Sequence, residues 1–454
     1  MRKIIAMFLC LTLLLATATA FASDKVPAEY VSGGALSYDP SVNVNNGEAM
    51  KLDFWVQAEE YNFYKKWTDA YTAMHPNITF ELTQGSYEDH FTKLGLALQS
   101  GTGPQLFHMH NAFSDQLVGN MKPYDQNVIP LEKLREDYVQ VDEHLINGEI
   151  YYLGFGVMTS GIFYNKQLWA EAGLTDADIP ATWDQLVAVA KKLTKIGDDG
   201  KMAVAGFNYN QMGMEYLLTA LNYQKGVAMF EKDSKNPIFN DVSLENLKWM
   251  QSLYTEEKIG STEMPMSIVS FSEGTTALAY AWGWFGGWLQ ANAPSLEYGF
   301  FKLPTWDGEV PAAYDRCNTE STLGINASVT DAQYAVINDF VLYLLANDNC
   351  CLDFALDLYV APSKKAVAQQ ELIASDAVLS TSASLLERTI NPGPFPDLYY
   401  TTILSYAFEG VMLNGMDPAE ALAQCQEEII DGLDATDFVA IETMYSHADE
   451  LTFE

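Results

Sequence analysis

Basic side chains are scarce in this chain: 25 Lys and Arg stand against 60 Asp and Glu, a formal net charge of −35 over 454 residues. A protein so short of cations disfavours nucleic acid and anionic membrane surfaces as partners, since both need basic patches. The charge says little about a small ligand, because most of it belongs to a solvated surface. Cysteine is also rare, with five residues, too few for a disulfide scaffold in a chain of this length. Cys350 and Cys351 are adjacent and expected on a helix, where they do not pair with each other; a bridge among Cys317, Cys350, Cys351 and Cys425 stays open. No C-x-x-C spacing supports a metal site. The motifs G-x-S-x-G, H-E-x-x-H and the P-loop are all missing, and no internal repeat is present. A secreted glycosidase using paired carboxylates is the enzyme reading left. With 60 acidic residues, chance pairs are plentiful, so acid content is no evidence for it.

No apolar run reaches the length of a membrane span. The run Ile4 to Leu15, preceded by Arg2 and Lys3 and followed by Ala20-Phe21-Ala22, has the three parts of a secretory signal, predicted over residues 1–22. Cys10 lies inside its apolar core without the small residue expected before a lipidated cysteine, and is read as filler. The mature chain then starts near Ser23, carries no membrane anchor, and is exported to the periplasm or the outside of the cell envelope. Loss of Arg2 and Lys3 moves its charge from −35 to −37. Apolar residues make up 48% of the sequence, ample for two domains.

Residues 23–50, rich in Ser, Gly, Asn and Pro without a period, read as a tether. From Lys51, Leu52, Phe54 and Val56 alternate as in a strand; Phe63, Trp67, Ala70, Tyr71 and Met74 then share a helical face, ended by His75-Pro76-Asn77. A second strand carries Ile78, Phe80 and Leu82. A second helix carries Phe91, Leu94 and Leu98, and a strand Gln105 to His108 follows. Strand, helix, strand, helix, strand implies a parallel α/β sheet. Ligands of such sheets sit beyond the carboxyl ends of the strands, here the loops Gln57 to Tyr61, Thr83 to Tyr87 and Met109 to Ser114. Further on, Thr182 and Gln185 form a capping box for a helix with Trp183, Leu186, Val187, Ala190 and Leu193 on one face. Gly197-Asp198-Asp199-Gly200 lacks the ligand spacing of a calcium loop and reads as a turn.

Several segments carry a family resemblance. Gly148 to Lys195 sets a short apolar strand before Tyr164-Asn165-Lys166, a helix ending at Ala172-Gly173, and a turn Pro180 to Trp183 into a second helix. Tyr87 to Gln105 is a helix closing on Ser-Gly-x-Gly-Pro, with Gln105 where the pattern has Asp. Phe271 to Trp288, Glu297 to Pro304, Tyr359 to Lys365 and Asp417 to Glu428 add further matches. Over roughly Lys51 to Leu433 the sequence resembles the extracytoplasmic solute-binding proteins of ABC importers, in particular the sugar-binding, maltose-binding-protein-like group. The resemblance implies a periplasmic-binding-protein-like fold: two α/β lobes joined by a hinge of about three segments, with the ligand cleft between them. By position the crossings are placed near Gly156–Met158, Phe300–Leu303 and Ala346–Cys350. Lobe 1 would then comprise residues 51–157 and 302–345, lobe 2 residues 158–301 and 346–433, and residues 434–454 a C-terminal tail. The partners implied are a carbohydrate ligand and the membrane permease, the protein acting as a monomer without a cofactor. Another polar solute (a polyamine, peptide or sugar acid) is the alternative.

A sugar presents a rim of hydroxyls and apolar C–H faces. Rings cover the faces, while carboxylates, amides and Arg satisfy the hydroxyls. Trp282, Trp284, Phe285 and Trp288 crowd one short loop with Gly283, Gly286 and Gly287. Trp284 falls where sugar-binding relatives carry a stacking Trp, Trp282 is its neighbour, and Trp288 reads as core. Glu59, Glu60 and Tyr61 follow the first strand, where the bland reading is a helix start that favours acids. His110 and Asn111 follow the third strand and are read as hydroxyl partners; His108 and His110 make an H-x-H, but without a third metal ligand nearby the metal reading is disfavoured. Thr159 sits at the first crossing. Tyr209, Asn210 and Gln211 match a ligand-contact segment of the family. Arg316 either reaches the ligand or pairs with Asp315, and Tyr399 stands where relatives place another aromatic.

Overall fold

A computed structural model describes residues 26–454 apart from 111, 112, 211, 212, 321, 322, 394, 395, 435 and 437. The expected signal segment, with Cys10, lies outside the described residues. The alternation of Leu52, Phe54 and Val56 buries one face of the strand Met50–Gln57. It packs with Phe63, Tyr64, Trp67 and Tyr71, which recur at helical spacing along Tyr61–Met74. This strand pairs in parallel with Ile78–Gly85 on one side and Leu106–His108 on the other. Antiparallel Leu323–Asn326 and Met121–Lys122 complete the first sheet.

The second sheet runs Tyr298–Phe301, Ser160–Asn165, Thr276–Trp282, Met202–Asn208, Lys195–Ile196. Its helix Trp183–Leu193 opens with the expected capping box: Gln185 N–H donates to Thr182 Oγ1 at 3.2 Å, and Gln185 Oε1 accepts from Thr182 N–H at 3.2 Å. The helix lies so close to the sheet that a Cβ at Gly206 would stand 2.0 Å from the Ala190 carbonyl.

Three short strands, Asn318–Glu320, Gly156–Met158 and Ala361–Pro362, form a small sheet through which the chain passes between the two large ones. Gly156–Met158 leads into Ser160–Asn165, and Asn318–Glu320 leads back to Leu323–Asn326. Ala361–Pro362 follows the helix Asp348–Asp357 and precedes Ala377–Leu385, which packs beside Tyr298–Phe301. The fold is α/β, with two lobes joined by these strands.

Two of the expected crossings lie elsewhere. Phe300 and Phe301 end an edge strand of the second sheet, and Thr305 then bridges to Thr182, so the stretch after 302 stays with the second lobe. Ala346–Cys350 joins two helices of the first lobe. Asp353 accepts from Trp67 Nε1 at 2.9 Å and pairs with Lys66 at 2.8 Å, while Phe354 packs on Phe63. An apolar strand reads the same whether it ends at a sheet edge or continues into a second lobe, so sequence pattern does not separate the two.

The expected tether is also no tether from Val26 onward. Val26, Leu36, Tyr38 and Val44 are buried. Asp137 accepts from the backbone N–H of Ala35 at 2.6 Å and of Leu36 at 2.8 Å, and Tyr38 donates to Asp339 at 3.0 Å. Such a strap has no period because side chains of distant helices, not a ladder, satisfy its backbone. The expected tail is likewise docked. Glu442 accepts from Met229 N–H at 2.8 Å, Phe230 N–H at 3.1 Å and Tyr223 Oη at 2.6 Å, and Thr452 N–H donates to Gly226 at 2.7 Å. Cys317, Cys350, Cys351 and Cys425 are buried and unbridged.

Candidate functional site

The strand ends decide where a site lies. In the first sheet Gln57 and Gly85 are paired carboxyl ends, and His108, the end of the third parallel strand, pairs with Leu323 just after a crossing strand. In the second sheet Trp282 ends its strand opposite Ser160, two residues after another crossing strand. Both sheets thus turn carboxyl ends toward the crossing sheet, the position where α/β sheets bind ligands.

On the first wall, Glu60 is 2% exposed and its Oε2 lies 3.1 Å from Nε2 of the fully buried His108. Burial, with Glu59 beside it, pushes the Glu60 carboxyl well above its usual range, and burial pulls His108 down to about 3. Desolvation thus disfavours charge on both partners. Glu60 sits behind the wall rather than on it, a correction to its expected ligand contact: desolvation makes it a structural partner of His108. Glu59 is half-buried and its Oε2 has no donor. Asp357, closing the helix Asp348–Asp357, has neither carboxylate oxygen bonded, and burial followed by the charge of Asp353 raises it to about 7. Tyr61 is half-buried against the core. His110 packs edge-on to Tyr87 at 5.5 Å, and burial holds it neutral, down to about 3. Asn111 lies outside the described residues.

On the second wall, Thr159 is fully buried with its hydroxyl unpartnered, and its carbonyl accepts from Gly283 N–H at 3.0 Å. Asn210 donates to the carbonyls of Ser261 at 2.8 Å and Met264 at 2.9 Å, leaving its own Oδ1 unpartnered. Tyr209 is wholly buried, donates to the Met250 carbonyl and stacks on Tyr254 at 4.3 Å, which makes it core instead of a ligand contact. Gln211 lies outside the described residues. Trp284, Phe285 and Trp288 lie on a helix, Trp284–Asn292, with Trp284 half-buried at its start. Its glycines serve packing, since a Cβ at Gly286 would stand 2.3 Å from the Tyr359 ring. Trp288 stacks on Phe285 at 5.7 Å.

Trp282 belongs to a group that sequence reasoning found only in part. The Arg316 guanidinium lies over Trp282 at 4.4 Å, Tyr400 at 4.8 Å and Tyr216 at 4.9 Å. Tyr399 points away, 1% exposed and stacked on Phe239 at 5.8 Å, because neighbours on a helix face different ways. Tyr216, Tyr400 and Asp357 come from helices far apart in sequence, and no local pattern marks them. Asp315 accepts from Ser160 and from Tyr280 at 2.6 Å. Among the described residues no group of three or more His, Cys, Asp or Glu is placed to hold a metal.

The sequence model of a family described as bacterial extracellular solute-binding protein matches residues 54–348. The arabinooligosaccharide-binding protein of Bacillus subtilis is 26% identical over 265 residues, 57% of this chain and 56% of that protein. A putative binding protein of Brucella abortus is 22% identical over 248 residues, 53% of this chain and 59% of its own length. The chain thus spans somewhat over half the length of these curated relatives. Among solved structures, the cyclic alpha-maltosyl-1,6-maltose binding protein from Arthrobacter globiformis aligns with a TM-score of 0.71 at 20% identity, covering 85% of this chain and 99% of that one. A cyclo/maltodextrin-binding protein complexed with maltotetraose aligns with a TM-score of 0.70 at 21% identity, covering 86% and 98%. At these identities the likeness carries the two-lobed fold.

Proposed function

The chain belongs to the bacterial extracellular solute-binding protein family, and from that premise we propose that it is the exported substrate-binding component of an ABC importer, holding a sugar or oligosaccharide between its lobes. The observation that carries this reading is the convergence of carboxyl strand ends from both sheets on the crossing sheet, with unpartnered polar atoms at Glu59 and Asp357 in the first lobe and at Thr159 and Asn210 in the second, which also carries the Arg316 and Trp282 group. Trp282, Trp284 and Tyr216 offer rings to the C–H faces of a sugar; the polar groups take its hydroxyls. Tyr61, His110, Asn111 and Gln211 stay in the proposed lining, with Glu60 and Tyr209 supporting it from behind. No residue is assigned a catalytic role and no cofactor is required.

Ligand contacts to both lobes favour the closed form, which the permease then recognises. The crossing strands are the natural hinge, because they are the connections that a closure must bend. The protein acts as a monomer outside the cytoplasmic membrane, and no helix among the described residues is long and apolar enough to cross one. A thermal-shift screen over mono- and oligosaccharides, polyamines and peptides tests the reading. A saccharide at a hundred times its dissociation constant adds about 2.7 kcal/mol to stability. Stabilisation by polyamines or peptides and by no saccharide overturns the sugar reading.

A further inference from the structure

We infer that the ligand carries a carboxylate and that Arg316 receives it, so that the saccharide is an acidic, uronate-containing oligosaccharide. The inference rests on the saccharide reading above and adds the charge of its ligand.

The chain has four arginines in all. Arg135 pairs with Asp142 at 2.6 Å and Arg388 with Glu450 at 2.8 Å. Arg316 has no carboxylate oxygen within 4.0 Å among the described residues, in a chain holding 60 acidic ones. Its sequence neighbour Asp315 favours the charge through space but makes no direct ion pair with the guanidinium. Asp315 Oδ2 accepts from Ser160 and Tyr280, and Oδ1 accepts from the backbone N–H of Arg316, at 2.7 Å. Glu215 feels the Arg316 charge but has no oxygen within 4.0 Å of it, and burial pushes its carboxyl up to about 8.

What holds Arg316 instead is aromatic. Three rings lie within 4.9 Å of the guanidinium carbon. Ring faces support a cation but accept none of the five in-plane N–H donors. Nε is buried and unbonded. The result is a fixed planar fork with an unspent charge, two residues before the crossing strand Asn318–Glu320. A sugar hydroxyl would take a hydrogen bond and leave that charge uncompensated once the cleft closes. A carboxylate satisfies both, bidentately. The hydroxyls of the same ligand would face the first wall, where Glu59 and Asp357 hold unbonded oxygens.

The test is calorimetric titration of the full mature chain at pH 7 with trimers of galacturonate, glucuronate, mannuronate and guluronate, each beside its methyl ester, plus maltotriose and arabinotriose. At least one acid is expected to bind about 100-fold more tightly than its ester, the scale for truncating one side of a buried charge pair. R316Q should erase that advantage, lowering acid affinity far more than ester affinity so that the acid-to-ester ratio falls to about 1, with R316K between them. Equal affinity for acids and esters, tighter binding of the neutral trimers, or an acid preference that survives R316Q overturns the inference and leaves the saccharide reading standing. Binding of no saccharide at all overturns both. If R316Q does not fold, the ratio of acid to ester in the unaltered protein decides.

Discussion

Tyr280 donates its hydroxyl to Asp315 Oδ2 at 2.6 Å, and Ser160 donates to the same oxygen. This one carboxylate ties two paired strands of the second sheet to the segment that runs into the crossing strand Asn318–Glu320. It fixes the backbone that carries Arg316 without drawing on the guanidinium.

Removing the acceptor should therefore cost more than removing one donor. Asp315→Ala leaves two buried hydroxyls without a partner and is expected to lower unfolding stability by about 2–4 kcal/mol, against about 1 kcal/mol for Tyr280→Phe. Urea denaturation of both variants checks the order; an Asp315→Ala protein as stable as the parent would refute it.

Stability should fall as pH rises toward 8. Glu215 is 6% exposed, and burial raises its carboxyl from the ordinary 4.5 to about 8. The folded state keeps a proton that the unfolded state gives up, so stability is full below about 4.5 and is lost as pH climbs through about 8. Glu215→Gln cannot ionise. It should match the parent at pH 5 and exceed it by about 1–3 kcal/mol at pH 9, as read from denaturation curves at the two pH values.

The N-terminal strap depends on Asp137. Its carboxylate accepts from Ala35 and Leu36 N–H, and a Cβ at Gly34 would stand 2.4 Å from it. Asp137→Ala should release the strap, lower stability by about 2–4 kcal/mol and open residues 26–48 to limited proteolysis. Unchanged cleavage there would mean that the buried Leu36 and Tyr38 hold the strap by themselves.

Trp284 is half-buried at the start of its helix, with its ring 6.0 Å from Phe285. Trp284→Ala should weaken saccharide binding by at least about 10-fold and leave the circular dichroism of the unliganded protein intact. An undiminished ligand-induced thermal shift would remove Trp284 from the site.

Local pattern made much of the fold legible. Alternating Leu52, Phe54 and Val56, the helical face of Phe63, Trp67 and Tyr71, and the box of Thr182 and Gln185 all stand as expected, because each needs only neighbours within a few residues. Side-chain direction was less accessible. Tyr399 and Tyr400 are adjacent, and helix phase sends the second to Arg316 and the first to the core.

By itself, then, the sequence determined the family, the α/β class and most elements near the cleft, since periodicity and capping are short-range. Only the tertiary structure decided the crossings at Asn318–Glu320 and Ala361–Pro362, the docking of the strap from Val26 onward and of the C-terminal segment, and the company kept by Glu60 and Arg316. Those depend on contacts between distant segments. Whether a carboxyl is desolvated beside an imidazole, or a guanidinium is boxed by rings and denied a counter-ion, is settled by what folding brings alongside it.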